Sequence, residues 1–63
     1  MQSGDLRKAE GEFSNAVRLK PGYAEAHYNL ALVLQKEGKD AASQAELAKA
    51  YEINPALKYG QQQ

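Results

Sequence analysis

The chain has 63 residues, with eight Lys and Arg against eight Asp and Glu, no cysteine and one histidine. That excludes a disulfide scaffold and thiolate metal sites, and His27 alone cannot supply the three or four ligands of a zinc centre. Zero net charge argues against a phosphate-backbone binder, and the longest apolar stretch, Leu30-Ala31-Leu32-Val33-Leu34, is far shorter than the ~20 residues of a membrane helix.

The elements follow in order. Gly4-Asp5 opens the first, with Asp5 as its expected N-cap. Leu6, Ala9, Phe13, Ala16, Val17 and Leu19 then recur at three- and four-residue spacing, the mark of one apolar helix face. Pro21-Gly22 stops the run, because proline disfavours helix in the residue before it. A second helix is expected over about Ala24 to Glu37, with His27, Leu30, Ala31 and Leu34 inward, ended by a left-handed Gly38. A third is expected from about Asp40 to Ile53, with Leu47, Ala50, Tyr51 and Ile53 on one face, closed by Pro55. No strand pattern competes, since Val17, Val33 and Ile53 are the only β-branched residues.

Leu, Ile, Val and Phe number only 11, but 11 alanines raise the apolar share to 43%, and zero net charge removes the repulsion that keeps chains disordered. Alanine favours helix and close helix approach. The expected fold is therefore all-α, with three helices joined by short, antiparallel turns. No secretion signal is visible, so the expectation is a soluble chain in a cytoplasmic setting.

Several pairs lie 34 residues apart: Gly4 and Gly38, Glu12 and Glu46, Phe13 and Leu47, Ala16 and Ala50, Leu19 and Ile53, Pro21 and Pro55. A repeat of that length is a unit whose apolar face needs a stacked neighbour. The segment Ala24-Glu25-Ala26-His27-Tyr28-Asn29-Leu30-Ala31, with Leu34, Gly38, Leu47, Ala50 and Pro55, resembles the tetratricopeptide repeat. His27 stands where that family favours tryptophan, Asp40 replaces its aromatic and Ser43 its alanine; the last two are expected to loosen packing. The resemblance implies an α-solenoid segment over 1–63: residues 4–21 as the second helix of a preceding repeat, 24–57 as one complete repeat, and 58–63 as the start of a next helix or a frayed tail. One and a half repeats imply a piece of a longer array, or a chain that completes its core by homo-oligomerisation.

In such arrays the first helix of each pair lines a concave wall. By resemblance the inward positions are Glu25, Tyr28, Asn29, Leu32, Gln35 and Lys36. Helical spacing agrees, since 25, 29, 32 and 36 form one stripe and 28, 32 and 35 the next, both offset from the core stripe. Leu32 amid polar neighbours suits a docked peptide. The implied function is a non-catalytic protein-interaction scaffold that binds a peptide, with structural self-assembly as the alternative. Glu25 opposes the carboxylate tails that some family members clamp, and only Lys36 would assist them.

His27, on the apolar face, is expected to pack rather than act as a base. Glu10 and Glu12, two apart, point to different sides. Glu46 with Lys49 and Lys36 with Asp40 are expected surface pairs. Tyr23 is expected as a wedge between helices. The residues supply no catalytic, metal or cofactor constellation, and four tyrosines without a basic groove do not make a nucleic-acid surface.

Overall fold

The computed structural model describes residues 3–60. Helix α1 spans Ser3–Leu19, α2 Ala24–Lys36, α3 Asp40–Ile53 and the short α4 Ala56–Gly60. The turns between α1, α2 and α3 are too short to let the chain cross over, so each helix runs back beside its predecessor. Helix α2 packs against both α1 and α3, α4 leans on α3, and α1 and α3 do not meet among the described residues.

Asp5 is not the N-cap of α1; the helix begins at Ser3 and carries Asp5 in its first turn, where a carboxylate favours the helix dipole. Helix α2 ends as expected on Gly38, at φ +83°. The Gly38 amide donates to the Gln35 carbonyl (3.0 Å) and the Lys39 amide to that of Leu34 (2.9 Å). These two bonds form a Schellman end, which satisfies carbonyls that the helix leaves open. Asp40 is the first residue of α3, and Lys39 holds the cap position without a side-chain bond. After Pro55 the chain turns helical again at Ala56, whose amide donates to Asn54 Oδ1 (3.2 Å). Residues 61–63 of the expected tail lie outside the described residues.

The core is built on α2: Ala24, Ala26, Leu30, Ala31, Val33 and Leu34 are buried, together with Ala50 of α3. Leu6, Ala9, Phe13, Ala16 and Val17 of α1 and Leu47 and Tyr51 of α3 are half-buried around them. Leu19 and Ile53, expected on the inward faces, are 70% and 42% exposed. Each lies six residues past the inward Phe13 or Leu47, which at 100° per residue leaves it about 120° off that direction. Tyr23 is not a wedge: it is half exposed, and its hydroxyl donates to Glu25 Oε1 (3.3 Å).

Ser43 does not loosen the crossing of α2 and α3. It is buried, and its hydroxyl donates to the Ala31 carbonyl (2.8 Å), so the close approach that alanine would allow is kept and a hydrogen bond is added. His27 packs as expected, at 3% exposure. Its Nε2 lies 2.8 Å from the Pro21 carbonyl and its Nδ1 2.7 Å from Glu46 Oε1. A carbonyl can only accept, so Nε2 donates to it, and one proton lies between Nδ1 and the Glu46 carboxyl. One ring thus ties the α1–α2 turn to α3.

Candidate peptide-binding face

The six expected face residues all lie on α2, and the structure keeps them on the side away from the core. At 100° per residue they span an arc of about 120°, opposite the buried stripe of His27, Leu30, Ala31 and Leu34. Glu25, Leu32, Gln35 and Lys36 are exposed, while Tyr28 and Asn29 are half-buried at the margins. Leu32 is 38% exposed near the middle of this arc. Its apolar surface is flanked along the helix by the Asn29 and Gln35 amides and by the opposite charges of Glu25 and Lys36. The face can therefore offer an apolar contact with hydrogen-bond donors and acceptors beside it.

On the flank towards α3, the face continues into a hollow of about 270 Å³ lined by Gln35, Asp40, Ser43, Gln44 and Leu47. Asp40, Gln44 and Leu47 are not legible in the sequence as neighbours of Gln35. Their 40, 44, 47 spacing does mark one stripe of α3, but which side of α2 it borders depends on the Gly38 turn. A larger depression of about 530 Å³ lies on the outward side of α1, where Gly11 and Ser14 leave a gap between Arg7 and Arg18. It is open surface, on the opposite side of α1 from the residues packed on α2.

The charge pairs differ from those expected. Glu46 turns to His27 rather than Lys49. Lys36 and Asp40 do not pair with each other, because the left-handed turn at Gly38 interrupts the helix between them. Lys39 instead sits 3.4 Å from Glu10 and 3.6 Å from Glu37, on the seam of α1 and α2. Glu37 Oε1 is shielded and meets no hydrogen-bond donor. The Glu37 carboxyl is raised above the ordinary carboxylate value, first by its hydrogen bond with Glu10, then by desolvation and by repulsion from that neighbour. Glu10 is held below it, chiefly by the same hydrogen bond, with Lys39 and Arg7 assisting. A proton held by Glu37 and offered to Glu10 accounts for both directions.

Among the described residues no group of three or more His, Cys, Asp or Glu is placed to hold a metal ion, and no helix is long and apolar enough to cross a membrane.

Comparison with known proteins fits the helical pairing. Residues 1–38 match a family model described as TPR repeat, and residues 24–57 match one described as Tetratricopeptide repeat. The tetratricopeptide repeat and J domain-containing co-chaperone DNJ1 of Cryptococcus neoformans var. grubii is 41% identical over 51 residues, which cover 81% of this chain and 10% of that protein. No solved structure matches. The first match spans the pairing of α1 with α2 and the second that of α2 with α3, and this chain belongs to the tetratricopeptide repeat family of protein-interaction modules.

Proposed function

We propose that this chain binds a peptide segment of a partner protein along the exposed arc of α2, without catalysis of its own. Residues 24–57 act in this reading as one complete repeat and 4–21 as the second helix of a preceding one. The observation that carries the reading is Leu32, an apolar side chain 38% exposed within an arc of polar and charged neighbours. A peptide laid there gains apolar contact from Leu32 and Tyr28, and its backbone meets the amides of Asn29 and Gln35. The similarity to a co-chaperone supports a protein as the ligand, since that relative's name joins the repeat to a J domain.

The test is capture of peptides from a displayed random dodecapeptide library by the intact chain. Leu32→Asp and Asn29→Lys are expected to lower recovery by at least about tenfold, the effect of losing ~1.4 kcal/mol at a central contact. Recovery unchanged by both substitutions removes α2's outer face as the site.

A second reading, self-association, is supported by the exposure of Leu19, Tyr23, Ile53 and Tyr59 at the ends of helices that share one rim of the molecule. The two readings differ in whether the chain needs a ligand before its size changes.

A further inference from the structure

We infer that the outward strip of α1 is a docking track for a helix of a partner protein that carries acidic residues three turns apart. The inference is independent of the peptide-binding reading, which concerns α2.

At 100° per residue Arg7, Gly11, Ser14 and Arg18 fall within an arc of about 60°, with Lys8 and Asn15 on its flank. All six are exposed, and with Glu12 they line the depression of about 530 Å³. Gly11 and Ser14 lower its middle, while the two arginines stand at its ends, about 16 Å apart along the helix. Arg7, Lys8 and Arg18 make no ion pair with a described residue. The Arg18 guanidinium donates to Asn15 Oδ1, which lays it along the strip. Glu12, the one acidic lining residue, stands at the edge: its counterpart 34 residues on, Glu46, turns to His27 of the helix behind it.

Repeat stacking leaves this strip uncovered. The same positions of α3 are Ala41, Ala42, Ala45, Ala48, Lys49 and Glu52, and these are exposed although α3 packs on the helix before it. The positions on α1 are exposed although α1 packs on the helix after it. Between them the two helices show both neighbours of a repeat, and neither neighbour reaches the strip. Its charge is particular to α1, since α3 carries one cation and one anion there, Lys49 and Glu52.

The spacing and the backbone decide the occupant. Residues three turns apart, about eleven positions, share one side of a helix. Carboxylates at that interval on a partner helix lying alongside meet Arg7 and Arg18 together, and the low middle lets the two axes come close. An extended segment would instead desolvate backbone amides that α1, its own backbone bonded internally, cannot answer. A nucleic-acid duplex carries a negative charge about every 1.7 Å, far denser than three cations edged by Glu12. The neutral chain supplies no long-range attraction for such a polyanion.

The experiment titrates the intact chain into a fluorescent, alanine-based helical peptide with two glutamates three turns apart and reads anisotropy. Comparison probes are the same peptide with glutamine at both positions, the same peptide with its glutamates on opposite sides, a DNA duplex and phosphatidylserine vesicles. The glutamate helix is expected to bind about three- to fivefold more tightly than either peptide control, the scale of exposed ion pairs. Arg7→Gln and Arg18→Gln should each remove most of that advantage. Gly11→Leu fills the track; a Cβ there meets no atom within 4 Å and leucine suits a helix, so the fold is kept. Binding to that variant should fall by about fivefold or more. Circular dichroism checks the helix content of each variant. Binding that ignores the placement of the glutamates, survives Gly11→Leu, or is lost with Leu32→Asp on α2 overturns the track. So does tighter binding of the duplex or the vesicles than of the glutamate helix.

Discussion

Gly38 holds a left-handed backbone at φ +83°, a conformation in which any side chain with a Cβ is strained. An added methyl at Gly38 would meet no atom within 4 Å, so replacement there is opposed by backbone geometry alone. A methyl added at Gly11, in the middle of α1, would likewise meet no atom within 4 Å, but there the backbone is helical and gains from alanine. Gly38→Ala is therefore expected to destabilise the fold by about 1–2 kcal/mol. Gly11→Ala should stabilise it by roughly 0.5–1 kcal/mol. Urea denaturation, with midpoints compared at constant slope, measures both; a shift in the same direction for the two would contradict this assignment. Gly4 lies 34 residues before Gly38 yet is a helical residue of α1, so the sequence echo there is not an echo of conformation.

The seam between α1 and α2 is where acidity acts on packing. Glu37 keeps its proton more tightly in the folded chain than in the unfolded one, so its contribution is full at low pH and is lost as pH rises through its raised value. Glu10 behaves oppositely, contributing above the unfolded value and losing it as pH falls through its lowered one. The pair therefore holds α1 to α2 best in the window between those two values, which brackets the ordinary glutamate value of about 4.3. Above that window both carboxyls are charged and repel. Glu37→Gln keeps a donor for Glu10 without the second charge, so it should raise the melting temperature at neutral pH, with the gain shrinking as pH falls into the window. A gain equal at every pH would show that the two carboxyls do not share a proton. This seam is hidden in the sequence because Glu10 and Glu37 are 27 positions apart and meet only through the packing of two helices. The link from His27 to Glu46 is hidden for the same reason. What can be read are features that act locally: the apolar period of each helix, the proline and glycine stops, and the repeat that pairs Phe13 with Leu47. Leu19 and Ile53 are misplaced by the apolar period because spacing from the nearest apolar residue does not follow the direction around the helix. The six expected face residues share one side of α2, as helical spacing alone dictates, whereas the approach of Asp40, Gln44 and Leu47 to Gln35 depends on the turn and is hidden in the sequence.

Over the whole molecule, large exposed apolar residues gather at one rim, among the exposed charges of Lys20, Glu52 and Lys58. The end of α1, the start of α2, the end of α3 and the short α4 bring Leu19, Tyr23, Ile53 and Tyr59 to one rim. The other carries Lys36, Glu37, Lys39 and Asp40 at the α2–α3 turn. If copies associate through the apolar rim, sedimentation should show larger species with rising concentration, and sulfate should strengthen them as it strengthens apolar burial generally. Association that weakens with added salt would instead assign it to ion pairs. Among the described residues, α2 is the one helix packed between two other long helices. The two covers of this spine are tied to each other, since Lys39 of the α2–α3 turn reaches Glu10 of α1 and His27 joins the α1–α2 turn to Glu46 of α3. A change of charge made along one seam is therefore felt at the other, and the three long helices answer it together.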